Sequence, residues 1–163
     1  MINNHTLTAQ EKLAIMQTYH VVPRPGRYWY DAMSGLWGAE GGAPYGLIMP
    51  GYNFGPLSTR ASAGNTGVFL NGREINMIEA AFYMRIFDSA RLTPGRYWFN
   101  GLTGMVGFEG SAMPLVNLYA AYNQKFGARG RSSKIRINGY ISTDGKGGAL
   151  MNDGVNGPIW TPN

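Results

Sequence analysis

Polar and apolar residues alternate through Arg27-Tyr28-Trp29-Tyr30-Asp31. A period of two predicts a strand with Tyr28 and Tyr30 on one face and Arg27 and Trp29 on the other. Leu36-Trp37-Gly38 predicts the returning strand. Between them Asp31 can accept N–H groups two or three residues on, as an Asx turn, and Gly35 can supply a left-handed conformation. Two other stretches carry a period of three and four: Leu13, Met16 and His20, then Ile78, Phe82 and Ile86. Each predicts a helix, opened by a capping box from Thr8 to Glu11 and from Asn76 to Glu79. VFLNGREI (68–75) and IRINGYIS (135–142) set Asn-Gly between alternating residues, a strong hairpin signal. Pro114 and Gly127 bracket a third predicted helix, about 114–126. The tail, 143–163, reads as turns with one short strand at Ala149–Met151.

The hairpin phrase is written twice. PGRYWYDAMSGLWGAEGGA (25–43) returns sixty-nine positions later as PGRYWFNGLTGMVGFEGSA (94–112), with ten of nineteen positions identical. A match this dense is not chance, and internal repeats fix architecture. The predicted unit is helix, aromatic hairpin, spacer, Asn-Gly hairpin, over about 8–75 and again about 76–142. Each unit alone buries too little surface for stability. The expectation is one α+β domain over 1–163, its two tandem pseudo-repeats packed about a pseudo-two-fold axis, with an antiparallel sheet and two to three helices.

Composition narrows the chemistry. At 44% hydrophobic and 13% aromatic the chain can bury a core. Only 14% is charged, against about a quarter in ordinary domains. The surface is therefore expected to be Gly, Asn, Ser, Thr and aromatic. The net charge of +5 permits an anionic partner without requiring one. No Cys is present, which excludes disulfides and thiolate metal sites. MINNHTLTAQEKL lacks the basic and apolar regions of a secretory signal, and no apolar run reaches the length of a membrane span. A soluble, cytoplasmic protein without membrane insertion is expected, with signal-free export left open.

No nucleophile elbow, phosphate loop or paired-His motif occurs. No cofactor, metal site or catalytic residue is predicted. Glu40 and Glu109 are equivalent across the repeat. One reading brings them together as the paired carboxylates of glycoside hydrolysis. The other pairs each with its own Arg27 or Arg96. That mechanism needs two unlike environments, and symmetry supplies two alike, which favours the second reading. Lys125, Arg129, Arg131, Lys134 and Arg136 form a basic stretch with no acid among them. It is a candidate phosphate or nucleic-acid contact, or a solvated loop that keeps the protein soluble.

The candidate ligand-binding residues are Tyr28, Trp29, Trp37, Tyr97 and Trp98. G-R-Y-W-Y-D-x-x-S resembles the second strand and loop of WW domains, which implies a peptide-binding aromatic groove. Y-D-x-x-S-G-x-W is similar to the tyrosine-rich octamer repeats of some RNA-processing proteins. The aromatic hairpins also resemble those of choline- and glucan-binding surface modules. All three likenesses imply aromatic-hairpin binding, and none assigns a family. The expected function is non-enzymatic: binding a protein or other macromolecule through aromatic, Gly-rich hairpins. A self-assembling homo-oligomeric subunit and nucleic-acid binding through 125–136 are the alternatives.

Overall fold

The computed structural model describes residues 1–20 and 22–126. The predicted hairpin at 135–142, the tail 143–163 and the end of the second unit lie outside them. Thr8 caps α1 (Ala9–Tyr19) with a complete box: the Glu11 N–H donates to Thr8 Oγ1 at 3.2 Å, and the Thr8 N–H donates to Glu11 Oε2 at 2.7 Å. Asn76 caps α2 (Met77–Ile86) through its side chain, 3.0 Å from the Glu79 N–H. The second box is only half formed, because the Glu79 carboxylate is bound to Arg73 and Tyr83 instead.

The buried stripes differ from those the spacing suggested. In α1 the inward residues are Ile15 and Tyr19, while Leu13 and Met16 are exposed. In α2 they are Glu79, Ala80, Tyr83 and Ile86, and Ile78 is exposed. Each helix offers apolar residues on more than one side, so its neighbours select the face. A buried Glu79 is invisible to an apolar count, because its burial depends on a partner six residues away.

The first aromatic phrase forms β1 (Tyr28–Tyr30) and β2 (Leu36–Ala39), and β3 (Pro44–Leu47) completes an antiparallel sheet in the order β1-β2-β3. Asp31 makes the predicted turn: its Oδ1 accepts the Met33 N–H at 2.9 Å, and Gly35 sits at φ +80°. The Asn-Gly signal forms β4 (Val68–Leu70) and β5 (Arg73–Glu74), with Asn71 and Gly72 both at positive φ, as a tight hairpin requires.

The second phrase forms β6 (Gly95–Phe99) and β7 (Met105–Phe108), followed by β8 (Pro114–Asn117). The predicted third helix is therefore shorter. Pro114 opens a strand, and α3 runs Leu118–Phe126, its Ala120 N–H capped by Asn117 Oδ1 at 2.9 Å. The second sheet has the order β5-β4-β6-β7-β8 and is mixed rather than antiparallel, because β4 pairs parallel to β6.

Equivalent bonds hold the two phrases. Trp29 stands opposite Gly38 and Trp98 opposite Gly107. The Trp29 indole donates to the Gly42 carbonyl at 3.1 Å, and that of Trp98 to the Ser111 carbonyl at 2.7 Å. The Asn3 side chain clasps the backbone of Tyr30 at 2.9 and 2.7 Å, and Asn71 clasps Phe99 at 2.9 and 2.9 Å.

One α+β domain results, with two apolar clusters separated by β1. Tyr30 faces the smaller cluster, with Leu7, Ile15, Tyr19 and Phe54. Trp29, Leu36 and Leu47, on the reverse of that sheet, belong to the larger, with Leu70, Ile75, Tyr83, Phe99 and Leu118. The contact between the halves is not the isologous one a two-fold would make. Asn71 donates to Asp31 Oδ2 at 2.6 Å, whereas Asn3 donates to the Gly55 carbonyl at 3.3 Å. The Gly101 N–H donates to the Met33 carbonyl at 3.0 Å, so one hairpin turn rests on the other.

Candidate binding surface

Trp29 is 1% exposed. The Arg73 guanidinium lies 4.1 Å from its ring centroid. Arg73 is itself fully buried and forms a two-pronged pair with Glu79, at 2.7 and 2.9 Å. Ser62 Oγ accepts from Arg73 Nη1 at 2.8 Å, and the Tyr83 hydroxyl donates to Glu79 Oε1 at 3.0 Å. Burial works against the Arg73 charge, but the Glu79 carboxylate holds its pKa above the ordinary value. Burial pushes the Tyr83 hydroxyl well up. This arrangement can fix the first sheet against α2 and β5. It offers no access to a reactant.

Tyr28, Trp37 and Tyr45 form a row on the opposite face of that sheet, each half-buried. The Trp37 ring lies 6.2 Å from that of Tyr28 and 5.3 Å from that of Tyr45. A register shift after Trp37 sets Tyr45 as an extra residue on β3 and brings its ring beside the indole. Burial raises the Tyr45 hydroxyl above its usual range.

The second sheet is more open. Tyr97 and Phe108 are cross-strand partners whose rings stack at 5.1 Å. Trp98 is half-buried where Trp29 is enclosed. Met105, in the place of the buried Leu36, is 36% exposed. Leu102, Phe108, Met113 and Leu115 are also exposed, so large apolar side chains crowd one stretch of chain.

Behind Tyr97 lies an apolar pocket of about 170 Å³. It is lined among others by Leu70, Ile75, Tyr83, Phe87, Val106 and Leu115. The Tyr97 hydroxyl donates to the carbonyl of Thr93, which also lines the pocket, at 2.9 Å.

Glu40 is ion-paired with Arg27, and Glu109 with Arg96, as the second reading of these carboxylates required. The hydrogen bond from Arg27 holds the Glu40 carboxyl below its ordinary range. Lys125 is ion-paired with Asp88. Arg129, Arg131, Lys134 and Arg136 lie outside the described residues. Among the described residues no three His, Asp or Glu side chains gather as metal ligands. No described helix is long and apolar enough to cross a membrane.

Sequence reasoning overlooked Asn3, the Arg73–Glu79 pair, Tyr45 and Phe108. A signal for the first two was present. Ile2-Asn3-Asn4-His5 precedes Thr8 with the spacing by which Leu70-Asn71-Gly72-Arg73 precedes Asn76. His5 accordingly meets Glu11 at 2.9 Å, in the place where Arg73 meets Glu79.

Known proteins supply two similarities. The chain is 53% identical over 73 residues to extra-large guanine nucleotide-binding protein 1 of Arabidopsis thaliana, a match covering 42% of this chain and 8% of that protein. It is 30% identical over 129 residues to extra-large guanine nucleotide-binding protein 2 of the same plant, covering 77% of this chain and 15% of that protein. The chain therefore matches only a small share of the length of these curated relatives. No family model matches it, and no solved structure does.

Proposed function

We propose that the chain is a non-enzymatic interaction module that binds another polypeptide through the aromatic second sheet. The carrying observation is the exposure of Phe108, stacked on its cross-strand partner Tyr97, and of Leu115, which lines the same pocket as Tyr97. Contiguous exposed apolar surface marks interaction sites. The module is built of two tandem pseudo-repeats. Each begins at its Asn hairpin (Ile2–His5, then Leu70–Arg73) and continues through a capped helix into the aromatic sheet. They stack head to tail, so the second unit covers Trp29 of the first. This frame starts earlier than one opened at the helix.

The relatives support the reading in scale. A chain that aligns over most of its length with 15% of a larger protein has the dimensions of a carried module. Guanine nucleotide binding belongs to those proteins by name; the present sequence holds no G-x-x-x-x-G-K-[ST] loop.

Panning a random peptide display library on the immobilised chain tests the proposal, with light scattering alongside. A monomer near 17.8 kDa that enriches peptides, and loses them on Phe108→Lys with unchanged Tm, is the expected result. A concentration-dependent assembly blocked by the same change would replace it with the homo-oligomeric subunit. Enrichment of nothing, beside salt-dependent retention of single-stranded DNA, would replace it with nucleic-acid binding through 125–136.

A further inference from the structure

The pocket behind Tyr97 has a filled counterpart in the first sheet. Val106 pairs with Phe99 where Trp37 pairs with Tyr30. Trp37 packs against the cluster of Leu7, Ile15 and Tyr19, flanked by Tyr28 and Tyr45. The residues at the matching places are Ile75, Tyr83, Phe87, Tyr97 and Leu115, and all of them line the pocket. Trp37→Val106 and Tyr45→Leu115 remove two rings from the second sheet. The pocket is thus the space that an indole occupies in the first sheet. A dry apolar cavity of about 150 Å³ is enough to bind benzene, and this one measures about 170 Å³.

A second observation concerns its mouth. Leu115 and Val116 belong to β8, one of the two outer strands of the five-stranded order among the described residues. An outer strand presents backbone groups to which an extended peptide can add, with alternate side chains entering pockets. Leu115, at the mouth, is 54% exposed.

We infer that this pocket binds one aromatic side chain, Trp or Phe, of a partner peptide that lies extended along β8. The inference rests on the interaction-module reading and names its partner class. Specificity resides in the ring, because the lining is almost wholly aliphatic and aromatic. Affinity depends on the peptide backbone as well.

The test is methyl-resolved NMR of the full chain, titrated with a capped peptide of the sequence Gly-Leu-Trp-Gly-Ala, the stretch that surrounds Trp37. Saturable shifts at the methyls of Val68, Leu70, Val106, Val116 and Leu118 are expected. Val106→Trp restores the missing indole and should weaken binding by about tenfold or more. Leu115→Arg, at an exposed position, should do the same should the first variant fail to fold. N-acetyl-tryptophanamide should bind at the same methyls but more weakly than the peptide. Equal affinity would assign the site to free aromatic compounds and overturn the peptide. Movement of these methyls on Trp160→Ala without ligand would show that the chain fills its own pocket, and would likewise overturn the inference. Peptide binding that survives both pocket variants would sink the pocket and leave the module reading standing. Failure of both this titration and the library panning would remove the two together.

Discussion

The Arg73 guanidinium lies 4.1 Å from the centroid of the Trp29 ring and joins β5 to the first sheet. Trp29 comes from β1, in the first aromatic phrase, and Arg73 from β5, in the Asn71-Gly72 hairpin. A cation enclosed this fully is tolerable only when its charge is matched, and Glu79 matches it through two hydrogen bonds. The core of the protein is therefore ionic at one point and apolar around it.

Arg73→Met should destabilise the fold by about 3–5 kcal/mol, because it leaves the Glu79 carboxylate buried without its partner. The double change Arg73→Met, Glu79→Leu should recover much of that loss. Urea denaturation of the three proteins measures the difference. A double variant no more stable than Arg73→Met would show that the pair contributes more than charge cancellation.

Asn71→Ala should cost at least about 1–3 kcal/mol, since it strips partners from the N–H and carbonyl of the buried Phe99. Asn71 also sits at φ +50°, which Ala adopts poorly. Asn71→Gly relieves the backbone conformation while still losing the bonds. The gap between the two variants in thermal denaturation separates the contributions.

Gly38→Ala should be poorly tolerated. A Cβ there would lie 2.6 Å from the Ala43 carbonyl oxygen and 3.0 Å from Trp29 Cζ2. Overpacking of this kind costs about 1–3 kcal/mol. Near-ultraviolet circular dichroism should report a displaced Trp29, and a spectrum identical to wild type would contradict the close packing.

Acid should weaken the fold through Glu11 and Glu40. The backbone N–H of Thr8 and then His5 lower the Glu11 pKa, and the Arg27 hydrogen bond lowers that of Glu40. A carboxyl whose folded pKa is depressed stabilises the native state above its unfolded value, ordinarily 4.5. That stability is lost as pH falls through the folded pKa. Melting curves from pH 7 to pH 3 should decline less steeply for Glu11→Gln and Glu40→Gln than for wild type.

Local structure was legible in the chain. Asp31 and Gly35, Asn100 (whose Oδ1 accepts the Leu102 N–H at 2.9 Å) with Gly104 (φ +76°), and Asn71 with Gly72 dictate their turns because each conformation needs a particular backbone freedom or side-chain acceptor. Thr8 and Asn76 start their helices for the same reason. These are short-range constraints, complete within a few residues, so a sequence expresses them directly. The pairing of Glu40 with Arg27 and Glu109 with Arg96 belongs to this class, because a hairpin sets the partners side by side.

What surrounds each element was not legible. Trp29 and Trp98 stand in nearly the same words, yet one is enclosed and the other half-open. The difference arises because the second half covers the first sheet's reverse face with Arg73 and α2. The helix stripes drawn from spacing alone were displaced for the same reason, although Ile86 is buried and Phe82 packs against the core as expected. The two-fold expectation failed because equivalent sequences need not present equivalent faces to each other. The Asn3 clasp escaped notice because Asn4 stands where the second copy has Gly72, so no Asn-Gly signal marked it. The sequence by itself determined the turns, the caps, the aromatic strands and their local ion pairs. Tertiary structure alone decided which ring is buried and which carboxylate meets a buried cation. Burial is a property of what packs against a residue, and that partner lies far along the chain.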